Sequence, residues 1–92
     1  MKHVYVLMEE GSWDYEFTNH TEVYSTFEKA LNSYKNLVRS ARLDMKEWIP
    51  DDQISESEQI DEEAGTASFE IYEDGDFTKL HDTISIIRKE VM

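Results

Sequence analysis

The segment from Ser25 to Trp48 carries the one sustained helical repeat in the chain, and it dictates what the remainder must supply. Phe27, Ala30, Leu31, Tyr34, Leu37, Val38 and Ala41 recur at spacings of three and four, which lays them along one stripe of a helix. Met45 and Trp48 prolong that stripe and are expected at the core or its edge. Ser25 and Glu28 fit a capping box, in which hydroxyl and carboxylate each satisfy a backbone N–H left open by the first turn. Pro50 pushes Ile49 out of helical backbone, so the helix is expected to stop by Trp48. A lone helix with one apolar face needs a partner layer, and the flanking sequence offers strands.

From His3 to Glu9, Val4, Val6 and Met8 alternate with Tyr5 and Leu7, so both sides are apolar, as in an interior strand. A Gly11–Ser12 turn signal and a second run through Glu22, Val23 and Tyr24 predict its antiparallel partner, with Asn19 and His20 marking a bulge or bend. Thr66 to Glu73 alternates Ala67, Phe69 and Ile71 against Ser68, Glu70 and Tyr72, a half-buried strand. Asp74–Gly75 is a two-residue hairpin signal. Phe77, Leu80, Ile84, Ile87 and Val91 match helical spacing, but the β-branched run at 83–87 favours a strand. The expected fold is one small α+β domain over 1–92: an antiparallel sheet in ββαββ order with one long amphipathic helix packed on one face.

Charge is distributed unevenly. Of the net charge of -12, all arises between Glu47 and Asp76, where twelve acids meet no Lys or Arg; the other 62 residues hold nine acids and nine bases. Within this block Asp51 to Gly65 holds seven carboxylates, and Ile54 and Ile60 are its only large apolar residues. An irregular acidic loop at about 50–65 is expected, with a helical turn near Ser55 to Gln59. Lys29, Lys35, Arg39, Arg42 and Lys46 gather instead on the helix, toward the end where its dipole favours cations. An acidic block repels nucleic acid and anionic membrane and attracts proteins that hold polyanions. Its plainer role is solubility.

Little in the chain points to catalysis. The absence of cysteine removes disulfides and thiolate metal sites, which fits a cytoplasmic protein. The short apolar run at the start, followed at once by Glu9 and Glu10, suits neither a signal peptide nor a membrane span. His3, His20 and His81 are scattered, and no nucleophile motif, phosphate loop or zinc-binding pattern accompanies them. Glu73 to Asp76 lacks the ligand spacing of a calcium loop. The expectation is a non-enzyme with no metal and no cofactor.

The opening MKHVYVLMEEG and the later EVYSTFEKALNSY resemble a pattern recurrent among small uncharacterised proteins of tailed phages and prophages. There a V-Y-V strand and a second strand ending in an aromatic lead into an S-T-x-E-K-A helix start. The resemblance covers roughly the first 45 residues and leaves out the acidic block. It implies a phage accessory protein, acting in the host cytoplasm. Such small acidic proteins include inhibitors of host enzymes, among them anti-restriction and anti-CRISPR proteins that mimic nucleic acid. No site residue carries over from it.

Two functional expectations follow. In the first, carboxylates occupy the basic nucleic-acid-binding groove of a host protein, with no direct contact to nucleic acid or membrane. The residues expected to bind are Glu70, Glu73, Asp74 and Asp76 on the hairpin, Asp51, Asp52, Glu56, Glu58, Asp61, Glu62 and Glu63 in the loop, and Trp13 as an aromatic contact beside Tyr15 and Phe17. An irregular loop presents its charges poorly, which shifts weight to the hairpin set. In the second, the chain is a non-enzymatic structural or assembly module, such as a homodimer formed through a sheet edge or the aromatic cluster, and the acids serve solubility.

Overall fold

The computed structural model describes residues 2–13, 16–74 and 80–91. In chain order these form strands β1 (Lys2–Trp13) and β2 (Glu16–Tyr24), helix α1 (Phe27–Trp48), a short 3-10 turn (Asp51–Gln53), and strands β3 (Ile54–Asp61), β4 (Thr66–Glu73) and β5 (Leu80–Val91). The five strands make one antiparallel sheet in the order β2-β1-β5-β4-β3. The class is α+β, but the order is two strands, a helix and three strands rather than ββαββ. The strand that was not expected is β3, drawn from the acidic block.

The last strand occupies the middle of the sheet. β5 pairs with β1 from Lys2↔Val91 to Trp13↔Leu80, and on its other side with β4 from Ala67↔Ile86 to Tyr72↔His81. It thereby joins two hairpins that are separate in sequence. The helical alternative for this segment fails because its odd and even positions face different surroundings. Asp82, Ile84 and Ile86 are buried beneath α1, while His81, Thr83, Ser85 and Ile87 lie half-buried on the other face. β1 runs on through the expected turn at Gly11–Ser12 to Trp13, and its register with β2 is continuous, with no bulge at Asn19 or His20.

The helix lies on the face that carries Leu7, Ala67, Phe69, Ile71, Ile84 and Ile86, and against them it buries Ala30, Tyr34, Val38, Ala41 and Met45. Phe27, Leu31 and Leu37 from the predicted stripe are only partly buried at its rim. Two expectations are corrected. Trp48 is 73% exposed, because the stripe rotates away from the sheet in the last turn. The helix cap is Thr26, not Ser25: Thr26 is extended (φ -133°, ψ 152°), and its Oγ1 accepts from the Lys29 N–H at 3.2 Å. Starting one residue later sets Phe27 in the first turn, with its ring 5.8 Å from that of Tyr5. The end falls where Pro50 requires it, with Ile49 extended and its N–H closing on Met45 O at 2.9 Å.

Candidate functional site

The acidic block is ordered, and its order comes from period-two alternation. Ile54, Glu56, Glu58 and Ile60 face the helix side of the sheet, opposite Glu73, Ile71, Phe69 and Ala67 of β4, while Ser55, Ser57 and Gln59 face away. Within the loop expected at 50–65, with a helical turn near Ser55–Gln59, residues 54–61 instead form a strand, between the 3-10 turn at 51–53 and a turn at 62–65. The spacing of six between Ile54 and Ile60 is an even number, which places both on one face of an extended chain. That spacing was the signal for β3.

What fastens β3 is a small polar network from α1. Arg42 donates from Nε to both Glu56 carboxylate oxygens at 3.1 Å and from Nη2 to Oε1 at 2.8 Å. Its Nη2 also lies 3.9 Å from Glu58 Oε1, and its guanidinium sits 5.1 Å from the Phe69 ring centroid. The Tyr34 hydroxyl donates to Glu58 Oε2 at 2.9 Å. Burial and the Glu58 bond both raise the Tyr34 hydroxyl, which keeps it a donor. The Glu56 hydrogen bond likewise raises Arg42. Glu56 and Glu58, expected as partner-binding residues, are thus engaged within the chain. Neither Arg42 nor Tyr34 was singled out as an anchor by the sequence, since Tyr34 read as core and Arg42 as one of several bases.

The other carboxylates collect at the two ends of the β3–β4 hairpin. At one end Asp51 and Asp52 form the 3-10 turn beside Glu73, which pairs in register with Ile54. Asp74 is held there too: its N–H reaches Gln53 O at 2.8 Å, and its carboxylate accepts from the Ser55 hydroxyl. At the other end Asp61, Glu62 and Glu63 are exposed around a tight turn. There the Asp61 carbonyl accepts from Gly65 at 2.9 Å and its carboxylate from the Ala64 N–H at 3.1 Å. Gly65 has φ +69° and is buried under Tyr5 and Arg88, where a Cβ would stand 2.7 Å from Tyr5 Cε1. Glu70 points to the opposite face of the sheet, between Ser57 and Thr83, apart from both clusters. Asp76 lies outside the described residues, as does the Gly75 half of the expected hairpin turn. The backbone of Trp13 closes β1, but its side chain lies outside what is described.

No protein-family model, curated protein or solved structure matches this chain. Its site has to be read from its own residues.

Two further features bear on chemistry. A shallow groove between α1 and β3 is lined by Lys35, Arg39, Arg42 and Lys46 together with Leu43 and Ile60, so the basic face of the helix borders the acidic hairpin directly. Beneath the C-terminal half of the helix, Asp82 is 2% exposed, and its Oδ1 has no hydrogen-bond partner among the described residues. Burial, then hydrogen bonding and charge from Glu9, with a weaker push from Asp44, raise its carboxyl to about 8. Among the described residues no three His, Asp or Glu side chains are grouped so as to hold a metal ion. No helix among them is long and apolar enough to cross a membrane.

Proposed function

We propose that this chain is a small acidic protein-binding module that occupies the cationic, nucleic-acid-binding groove of a partner protein, as a phage-type inhibitor would. The supporting observation is the ordered β3–β4 hairpin. It carries one cluster of Asp51, Asp52, Glu73 and Asp74 and a second of Asp61, Glu62 and Glu63. Seven residues of β3, Ile54 to Ile60, separate the clusters, roughly 24 Å at about 3.4 Å per residue. Carboxylates replace phosphates effectively only where a scaffold holds them before contact, because each side chain or loop ordered on binding subtracts from affinity. In β3 the scaffold is the sheet, locked to the helix by Arg42 and Tyr34. The recognition set is therefore the two end clusters, with Glu56 and Glu58 as internal braces.

The test has two stages. Tagged protein is used to capture partners from host lysate at low salt, and bound proteins are challenged with duplex DNA. The reading requires retained nucleic-acid-binding proteins that DNA displaces. Surface plasmon resonance then compares Asp51, Asp52, Glu73 and Asp74 changed to amides with the same treatment of Asp61, Glu62 and Glu63. Both variants should bind less tightly, mainly through slower association, and the wild-type affinity should fall steeply between 50 and 200 mM salt, conditions taken from the range in which polyanion-type contacts are screened. Unchanged affinity in both variants would leave the acids to solubility alone.

A further inference from the structure

Among the described residues no element covers the face of the sheet away from α1, and its side chains follow a gradient. In register from one end, the exterior rows on β1 and β5 read Lys2 and Val91, Val4 and Lys89, Val6 and Ile87, Met8 and Ser85, then Glu10 and Thr83. β2 adds Val23 beside Val6, 60% exposed, and β4 adds Glu70 beside Thr83. One end is basic, the middle apolar and the Glu10–Glu70 row acidic, with Ser12, His81, Tyr72 and the exposed Phe17 in the row beyond it. The acidic strand β3 contributes only Ser55, Ser57 and Gln59 to this face before Asp61, since Glu56 and Glu58 point to the helix.

We infer that this open face binds a second copy of the chain, sheet on sheet, about a two-fold axis that lies across the strands between the Val6 and Met8 rows. That operation reverses the strand direction and keeps β1 and β5 over their own counterparts, and β2, β3 and β4 over theirs near the axis. Val6 then lies on Met8 of the second copy and Ile87 over its Ser85. Lys89 falls over Thr83 of the second copy, flanked by Glu10 and Glu70 on the neighbouring strands. The same contacts recur by symmetry. A patch that is basic at one end and acidic at the other is self-complementary only in this reversed arrangement, and that selects a like copy over an unrelated partner.

Size and charge agree with it. At about 4.8 Å between strands and 3.4 Å per residue, the surface that superposes on its copy, β1 and β5 from the Lys2 to the Ser12 row with the parts of β2, β3 and β4 nearest the axis, spans roughly 540 Å². Two copies would cover roughly 1,100 Å², just above the roughly 1,000 Å² that a specific interface needs. Two chains of net charge -12 repel, but most acids of the strands point to the helix side or lie at the rim, and on the contacting face Lys2 and Lys89 stand against Glu10 and Glu70, with Asp61 at the edge. The cluster of Asp51, Asp52, Glu73 and Asp74 lies beyond the overlap and stays accessible, whereas Asp61 falls at the edge of the contact, so a partner and the second copy would compete at that end of the hairpin.

Sedimentation equilibrium from 5 to 500 µM, concentrations chosen to bracket a weak dimer, tests the inference. The wild type should show a reversible dimer. Val6→Thr with Ile87→Thr keeps β-branched residues on the strands, so the sheet should persist by circular dichroism, while the dimer dissociation constant rises at least about tenfold. Lys89→Glu alone, an exposed change, should raise it about fivefold, and adding Glu10→Lys to the same chain should recover at least half of that loss on a logarithmic scale. A monomer throughout the range would overturn the inference and leave the face to a different protein. A dimer indifferent to the threonine pair would place association at an edge strand instead. A double variant no better than Lys89→Glu would overturn the reversed stacking.

Discussion

Arg42 grips Glu56 through three hydrogen bonds of 2.8 to 3.1 Å, across a gap of fourteen residues that includes the only proline. The pair is more than a third exposed on both sides, so its Coulombic worth is modest in water. Its importance is geometric: it ties an edge strand made almost wholly of polar residues to the helix. Arg42→Ala also removes the guanidinium from Phe69. The expected cost is about 1–2 kcal/mol in urea denaturation, from the fork and the ring contact together. Amide hydrogen exchange should accelerate through Ile54–Asp61 more than through β1 or β5. Tyr34→Phe leaves Glu58 without its donor and should cost about 1 kcal/mol with the same local signature. A uniform loss of protection across the sheet would show that β3 has no independent attachment.

Core substitutions should separate residues that look alike in sequence. Leu7→Ala and Met45→Ala, both fully buried, should each cost about 2–5 kcal/mol. Trp48→Ala should stay within about 0.5 kcal/mol, since the ring is largely in water. A large loss at Trp48 would mean that its ring is covered in solution, by a second copy or by residues beyond those described.

Gly65→Ala should destabilise by about 1–3 kcal/mol. The left-handed backbone disfavours any side chain, and the new methyl would press on Tyr5 and Arg88. Gly65→Asn, which tolerates this backbone better, would suffer the same crowding and should not rescue. Thermal unfolding of the two variants decides between strain and crowding: a stable asparagine variant would show that Tyr5 moves aside easily.

Stability should also depend on Asp82. Its carboxyl is raised to about 8 in the fold and returns to roughly 3.9 when the chain unfolds. Between those values the native state holds a proton that the unfolded state has released. Stability from this group is complete below about pH 4 and declines as pH rises to about 8. Asp82→Asn removes this pH dependence. It should therefore gain on the wild type between pH 5 and 8, by on the order of 1–3 kcal/mol at the upper end, with little difference at pH 4. Urea midpoints at three pH values measure the gap; a gap that shrinks with rising pH would reverse the assignment and make Asp82 a stabilising anion.

The sequence by itself determined the local elements in which side-chain period and backbone chemistry agree. The helix and its end at Trp48 follow from a 3.6-residue stripe and from Pro50, and β4 follows from the alternation of Ala67, Phe69 and Ile71 with polar residues. An α+β sheet with a covering helix could be read on that basis. The tertiary structure decided what depends on neighbours. β3 has only two isoleucines to bury, so its strand state rests on pairing with β4 and on Arg42 and Tyr34, none of which is local. The cap moved from Ser25 to Thr26, because either residue can accept the first N–H and the docking of Phe27 near Tyr5 accompanies the later start. Of the acids expected to bind a partner, Glu56 and Glu58 turned inward while Asp51, Asp52 and Asp61 to Glu63 remained outside. Composition counts carboxylates, but only the register of a strand decides which of them meet a cation of their own chain.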